Sequence, residues 1–261
     1  MDYLSAAVLG IIQGLTEFLP ISSTGHLALT QEYLRLDQSV FGLQFDAAIQ
    51  LGTTVAVIWF FRMDFWNLFR HWRRPAEQRL LLSLAVATLP ALVIGAGLER
   101  QIEGPFRDPA VIAAALVVGA FVFFAVERVA KQKREAGQAT WKDALAIGFA
   151  QTLALVPGVS RSGATISAGM LLGLKREAAA RFAFLLSVPI IAAAGGKKLF
   201  EIIQEPGSAD RLDVTLVGLV VSGIVGYATI KYLLRFLAHH KLDVFAWYRL
   251  ILAAVIVLTL L

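Results

Sequence analysis

Residues 10–26 read GIIQGLTEFLPISSTGH. An apolar stretch meets a proline and continues as three hydroxyl side chains, a glycine and a histidine. Proline disfavours a helical backbone at the residue before it, here Leu19. A helix should therefore stop near Leu19 and restart near Ser22 or Ser23, either of which is a good N-cap. This stretch predicts a helix that breaks and restarts within a few residues.

The same pattern returns 138 residues later, where residues 148–163 read GFAQTLALVPGVSRSG. Five identities fall in sixteen positions without a gap, and they sit at equivalent places in two halves of similar length. The matched pairs are Gly10 and Gly148, Gln13 and Gln151, Leu15 and Leu153, Ser22 and Ser160, and Gly25 and Gly163. This self-similarity indicates a duplication, with one broken element at 3–36 and another at 142–175.

The composition is that of an integral membrane protein, because 57% of the residues are hydrophobic and only 16% are charged. A soluble domain carries about 25% charged residues. There is no cysteine, which excludes disulfide and thiolate chemistry. Six stretches are long enough to cross a bilayer, at 43–61, 80–98, 110–128, 181–199, 213–234 and 244–261. We read 1–261 as a single membrane domain with internal repeats at about 3–128 and 142–261.

The predicted fold is an all-α membrane protein with about six transmembrane helices and two re-entrant broken-helix hairpins. If each hairpin enters and leaves on one side, each repeat crosses the membrane three times and the second repeat is inverted. Broken helices of inverted repeats meet near the bilayer midplane and form a site there. The alternative is that 3–20 and 142–160 are ordinary spans with polar surface loops.

Basic residues orient this arrangement. The loops around 62–79, 128–142, 175–181 and 231–241 hold 16 lysines and arginines, and the opposite side holds 6. Positively charged loops stay cytoplasmic. Both termini and the opening of the first hairpin are therefore expected on the outer side of the membrane.

The polar residues of the two hairpins suit phosphoryl transfer. A restarted helix offers free N–H groups to an anion, and Arg161 adds a planar guanidinium that matches phosphate oxygens. Ser23 is a candidate nucleophile, and His26, three residues later on the same helical face, is a candidate base. Glu17 could orient His26, take a proton or bind a divalent cation. A carboxylate inside an apolar helix is a functional candidate by default.

Each residue taken singly has a structural alternative. The hydroxyls of Ser22, Ser23 and Thr24 could be helix caps, and His26 could be an interfacial histidine. Gln13 shares a helical face with Glu17, so it could contact a ligand or simply satisfy the broken backbone. The combination of these residues with Arg161 favours a site.

The two motifs QGLTEFLPISSTGH and PGVSRSGATISAGMLLG, with FDAAIQLGT at 45–53 and RFAFLLSVP at 181–189, resemble the undecaprenyl-diphosphate phosphatase family of the bacitracin-resistance type. The resemblance covers essentially the whole chain. It implies an integral enzyme that removes the terminal phosphate from a C55 polyprenyl diphosphate and so recycles the lipid carrier for cell-wall synthesis. It also implies a bacterial inner-membrane location, a periplasmic active site and competition with bacitracin for the lipid. A homodimer is compatible with it.

The resemblance carries the family's functional residues onto Glu17, Ser23, His26, Arg161 and Thr165. It adds a divalent cation, Mg²⁺ or Ca²⁺, for which Glu17 and Gln13 are the candidate ligands. Many relatives have a glutamate where this chain has Gln13, which removes one carboxylate from the expected metal site. The remaining candidate substrate contacts are Ser22, Thr24, Ser160 and Ser162. Whether Ser23, His26 or water attacks phosphorus stays open.

Other functions fit parts of the pattern. An inverted repeat with broken helices is also a transporter architecture, so a lipid-phosphate flippase or an ion-coupled carrier is the main rival. A non-catalytic resistance protein that shields the lipid is the third reading. A carrier needs Arg161 and the helix termini, but it does not need a base beside a hydroxyl, so Ser23 and His26 discriminate between these readings.

Overall fold

The structure is a computed structural model that describes residues 2–205 and 209–260. In this part of the chain there are thirteen α-helices, two single-turn 3₁₀ helices (Pro105–Arg107 and Ala136–Gln138) and no β-strand. The helices of the first half are α1 (Asp2–Thr16), α2 (Ser23–Tyr33), α3 (Gln38–Phe41), α4 (Leu43–Phe60), α5 (Arg62–Arg70), α6 (Pro75–Gly97), α7 (Glu99–Glu103) and α8 (Pro109–Val129). Those of the second half are α9 (Trp141–Leu153), α10 (Arg161–Leu171), α11 (Arg176–Gln204), α12 (Ala209–His239) and α13 (Asp243–Leu260).

Six helices are long and apolar enough to cross a membrane, which confirms the six predicted spans and the all-α fold class. They are α4, α6, α8, α11, α12 and α13. The observed helices α6, α11 and α12 extend several residues beyond the predicted spans. The four helices that flank the two breaks have 15, 11, 13 and 11 residues. They are too short to span alone, since a crossing helix needs about 20 residues.

Both breaks have the same local geometry. The first helix of each pair ends well before its serine cap, at Thr16 and at Leu153. Ser22 and Ser160 then sit at φ 70°, and each side chain accepts a hydrogen bond from the backbone N–H three residues on. The 138-residue shift maps α2 onto α10 residue for residue. The predicted restart at Ser22 or Ser23 is confirmed, whereas α1 ends at Thr16, three residues before the predicted stop near Leu19.

Several long-range helix contacts are reciprocal between the two halves, although α4 packs on α12 more extensively than α11 does on α6. Helix α1 packs on α12 and α9 packs on α6, while α4 packs on α11 and α8 on α13. The matched glycines allow the first two contacts: a Cβ at Gly10 would lie 2.7 Å from the Gly218 carbonyl oxygen, and one at Gly148 would lie 2.5 Å from that of Ala87. A twofold relation between the repeats would give such pairs. The opposite membrane orientation of the halves stays a prediction.

Arg249 ties both breaks to the helices around them. It lies in the middle of α13 and is fully buried. Its guanidinium donates to five backbone carbonyls, those of Pro20 (3.2 Å), Gly158 (2.8 Å), Val159 (3.0 Å), Ala115 (3.1 Å) and Leu116 (3.1 Å). Gly119 makes room for it, because a Cβ there would lie 2.1 Å from Nη2. One side chain therefore satisfies carbonyl groups of both broken segments and of α8.

We predict that Arg249→Met destabilises the protein by at least about 3 kcal/mol, because each buried carbonyl left without a donor costs roughly 1–3 kcal/mol. Thermal unfolding in detergent measures the loss. Arg235→Met, at an exposed position of α12, is the control and should leave the melting temperature nearly unchanged. Equal melting temperatures for the two variants would contradict the role given to Arg249.

Candidate active site

The first break places Glu17 and Ser23 side by side. Glu17 continues the last turn of α1, since its N–H bonds the Gln13 carbonyl at 3.0 Å. The chain then passes Pro20 and begins α2 at Ser23, capped by Ser22. The Ser23 hydroxyl donates to Glu17 Oε2 at 2.8 Å. The amide Nε2 of Gln13 donates to the same oxygen, also at 2.8 Å.

The second break places Arg161 opposite these residues. Gly158 turns the chain at φ +96°, where a Cβ would lie 2.5 Å from the Ile112 carbonyl oxygen. The position therefore requires glycine for both conformation and space. Ser160 caps α10, which begins at Arg161. The guanidinium of Arg161 hydrogen-bonds Glu17 Oε1 and also donates to the Ser187 carbonyl at 3.4 Å.

An ion pair between Glu17 and Arg161 thus joins the two halves of the chain. The side chains are 6% and 18% exposed, so neither charge is fully hydrated. Both carboxylate oxygens of Glu17 are engaged, one by Arg161 and the other by Gln13 and Ser23. A second link lies nearby, where Ser162 Oγ donates to the Leu19 carbonyl at 3.2 Å.

A cavity of about 160 Å³ opens beside this pair. Its polar lining comes from both breaks and from α4, and consists of Glu17, Ser22, Ser23, Thr24, Gln50, Ser160 and Arg161. The N-termini of α2 and α10 both reach it, and the first N–H groups of a helix have no partner within the helix. The cavity therefore combines a guanidinium, hydroxyls and helix N-termini, which are the groups that bind phosphate.

A larger cavity of about 800 Å³ lies away from this site, between α5, α6 and α11. Its arginines, Arg74, Arg79 and Arg181, belong to the basic loops. Arg181 is already paired with Asp64. Arg161, Glu17 and Ser23 converge only at the smaller cavity, so we place the candidate site there.

His26 is held apart from Ser23. Its Nδ1 is 2.7 Å from the Ser22 carbonyl oxygen, and its Nε2 is 2.7 Å from the Tyr248 hydroxyl. Ser23 instead bonds Glu17. The direct hydrogen bond between Ser23 and His26 that a nucleophile–base pair requires is therefore not formed here. Glu17 occupies the position of the base beside Ser23.

The other predicted residues divide between the cavity and the framework. Ser22, Thr24 and Ser160 line the cavity. Ser162 and Thr165 are buried in α10, where Thr165 Oγ1 donates to the Arg161 carbonyl at 2.8 Å. Gln13 is fully buried, and its Oε1 has no hydrogen-bond partner. Gln151, its counterpart in the second half, is buried with no partner on either amide atom.

Three residues at or beside the site were missed from the sequence. Arg249 carried a readable signal, since an arginine in the middle of an apolar span needs buried partners. Tyr248 precedes Arg249 and reaches His26 across 222 residues of sequence. Gln50 lines the cavity from α4, within the FDAAIQLGT stretch that carries part of the resemblance but was given no site residue. No local sequence pattern indicates either of the last two contacts.

Comparison with known proteins places the chain in a family. The family model described as "Bacitracin resistance protein BacA" matches residues 6–255. The chain belongs to this family. It is 44% identical over 270 residues to an undecaprenyl-diphosphatase of Rubrobacter xylanophilus, covering 100% of this chain and 99% of that protein. It is 42% identical to an undecaprenyl-diphosphatase of Mycolicibacterium vanbaalenii, covering 100% of this chain and 97% of that protein. It is 41% identical to an undecaprenyl-diphosphatase of Nitrosococcus oceani, covering 98% of each chain.

The buried ion pair generates a stability prediction. Arg161→Gln leaves the Glu17 carboxylate buried without its cation, which should cost about 3–5 kcal/mol. Adding Glu17→Gln removes the unpaired charge, so the double variant should recover most of that loss. Melting temperatures of the wild type, both single variants and the double variant measure the coupling. A double variant no more stable than Arg161→Gln would contradict the pairing.

Proposed function

We propose that this protein hydrolyses undecaprenyl diphosphate to undecaprenyl phosphate and inorganic phosphate, and so recycles the lipid carrier of cell-wall synthesis. The observation that carries the proposal is the convergence of Arg161, Glu17 and Ser23 on one cavity. Relatives more than 40% identical over nearly their full length bear the name of this activity. Bacitracin, named in the family description, would compete with the protein for the lipid diphosphate.

In this proposal the terminal phosphate enters the cavity and Ser23 attacks its phosphorus. The bond from phosphorus to the bridging oxygen breaks, and undecaprenyl phosphate leaves with the bonding electron pair. The Ser23 proton passes to Glu17 Oε2, which already accepts its hydrogen bond at 2.8 Å. Phosphoryl transfer depends mostly on positioning and charge stabilisation. The helix N-termini and Arg161 provide the stabilisation.

Proton transfer to Glu17 has a second consequence. Neutralising the carboxylate weakens its attraction for Arg161, so the guanidinium charge becomes available to the phosphate at the moment of attack. A planar guanidinium can hold two phosphate oxygens at once. In the resting state the ion pair therefore keeps the Arg161 guanidinium next to the reacting atoms.

A water molecule then attacks the phosphorus of the phosphorylated Ser23. The bond from phosphorus to Ser23 Oγ breaks, Glu17 returns its proton to that oxygen, and inorganic phosphate is released. Glu17 has already taken the serine proton, and we assign the water proton to His26. Its Nδ1 donates to the Ser22 carbonyl, which leaves a lone pair on Nε2. His26 lies one turn along α2 from Ser23 and belongs to the same rigid element.

We predict that Ser23→Ala and His26→Gln each reduce turnover at least about a hundredfold. Ser23→Ala removes the nucleophile, and His26→Gln removes a general base, which usually contributes at least about that factor. Phosphate release from C55 diphosphate by the purified protein in detergent is the assay. Ser39→Ala, in the short helix α3, is the control and should keep full activity. Near-normal release by both variants would refute the roles assigned to Ser23 and His26. No phosphate release by the wild type would favour the rival function of a lipid-phosphate flippase or ion-coupled transporter, which needs no nucleophile.

A divalent cation, Mg²⁺ or Ca²⁺, is the cofactor that we propose. In the described residues no group of three or more His, Cys, Asp or Glu side chains could form a protein-only cage. The donors nearby are oxygens, namely the unpartnered buried Oε1 of Gln13 and the Glu17 carboxylate. They fit a cation that takes its remaining ligands from the diphosphate, as Mg²⁺ commonly does. When bound, it would neutralise charge on the phosphates.

Gln13→Glu supplies a second carboxylate on the face of Glu17. The variant should bind the cation more tightly, because charged oxygen ligands raise affinity for hard cations. We expect the cation to activate this variant at a lower concentration. Electron paramagnetic resonance should also detect Mn²⁺ bound to the variant without substrate. Unchanged activation together with no Mn²⁺ binding would place the cation on the substrate alone.

We further propose that the site faces the periplasm of the bacterial inner membrane, with both termini outside and the halves in inverted orientation. The excess of basic residues in one set of loops, 16 against 6, supports this. The reciprocal packing of α1 on α12 and α9 on α6 supports a twofold relation between the halves. A homodimer stays a prediction.

Single cysteines test the orientation, since the chain has none of its own. A cysteine at exposed Gln101 should react with an impermeant maleimide on intact cells, whereas one at exposed Gly137 should not. Gly207, also expected outside, lies beyond the described residues. The reverse labelling pattern would refute the proposed orientation.

A further inference from the structure

Tyr248 contacts the one ring nitrogen of His26 that the first turn of α2 leaves free. The phenol oxygen lies 2.7 Å from Nε2. The two rings are nearly parallel, with 9° between their planes and 5.5 Å between their centroids. The two residues belong to helices α2 and α13, at opposite ends of the chain.

The hydrogen bonds fix the state of the imidazole. The Ser22 carbonyl can only accept, so the Nδ1 that lies 2.7 Å from it carries a proton. In a neutral histidine Nε2 is then the acceptor, and the Tyr248 hydroxyl donates to it. A histidine's tautomer is set by the bonds that its two nitrogens make. Ser22 and Tyr248 together select one tautomer and one ring orientation.

The position of Tyr248 is set by its neighbour. Arg249 is fully buried and bonds carbonyls of both breaks, which fixes α13 relative to the site. Tyr248 itself is 42% exposed, so its hydroxyl is not needed to fill the core. Arg249 therefore bonds the backbone of the two breaks, and the adjacent Tyr248 bonds His26.

We propose that Tyr248 serves phosphate release in two ways: its hydroxyl positions the ring of His26 and passes the proton of the attacking water to the Nε2 lone pair. This inference rests on the proposed role of His26. Nε2 has a single lone pair, to which the Tyr248 hydroxyl already donates. A hydroxyl both donates and accepts, so Tyr248 can give its own proton to Nε2 as its oxygen takes the proton of the water, and can then accept from Nε2–H. The ring of His26 is thus held in the same place before and after the transfer.

Tyr248→Phe removes the hydroxyl and keeps the ring. We expect kcat to fall about tenfold, the effect of losing one hydrogen bond worth roughly 1.4 kcal/mol, with KM and the melting temperature nearly unchanged. Tyr232→Phe, at an exposed position of α12, is the matched control and should behave as the wild type. Full activity in Tyr248→Phe would overturn the inference.

A double-mutant cycle separates positioning from a general structural effect. If Tyr248 acts only through His26, Tyr248→Phe should cause no further loss in a His26→Gln background. Equal losses in both backgrounds would overturn the inference. A fully active His26→Gln variant would instead refute the proposed function of His26. An impaired His26→Gln variant beside a normal Tyr248→Phe variant would refute only the inference made here.

Nitrogen NMR gives a readout that does not depend on turnover. The chain has four histidines, so ¹⁵N-histidine labelling gives four imidazoles, and His26→Gln identifies the resonances of His26. We expect a protonated Nδ1 and an unprotonated, hydrogen-bonded Nε2. Tyr248→Phe should shift the Nε2 resonance, and Tyr232→Phe should not. An Nε2 resonance that Tyr248→Phe leaves in place would contradict the assignment.

Discussion

Arg249 makes it possible for two helices to break in the buried interior of an apolar helical protein. A carbonyl group without a donor costs several kcal/mol in hydrocarbon, so irregular backbone is tolerated there only when protein or water satisfies it. The guanidinium of Arg249 bonds carbonyls of the first break, the second break and α8. Because the breaks are stabilised, the N-termini of α2 and α10 can end at one cavity. The site depends on this framework.

The chemistry depends on a second arginine. Arg161 is paired with Glu17 at rest, and Glu17 also accepts the hydrogen bond of Ser23. In the proposed mechanism, one carboxylate therefore neutralises the cation and receives the nucleophile's proton. Protonation of Glu17 and release of Arg161 toward phosphate are then a single event. This arrangement gives a physical reason why the acid and the arginine come from different halves of the chain.

Much of this architecture is readable from the sequence. Pro20 and Pro157, followed by hydroxyls and glycine, predict the two breaks because proline and the serine caps act on their immediate neighbours. The six spans follow from length and hydropathy, and Arg161 and Glu17 stand out as charges in apolar surroundings. The tertiary contacts do not follow in the same way. Ser23 bonds Glu17 rather than His26 because the first break brings the end of α1 beside the start of α2. Tyr248 reaches His26 because α13 packs beside α2.

The central claim is that Arg161 and Glu17 form one catalytic unit contributed by both breaks. Turnover of C55 diphosphate by Arg161→Lys tests it most directly, because lysine keeps the charge but loses the planar fork. The variant should insert and melt much as the wild type does, yet lose most of its turnover. Its activation free energy should rise by about 2.7–4 kcal/mol, the value typical of one removed oxyanion donor. Near-normal phosphate release by a stably folded Arg161→Lys variant would contradict the account.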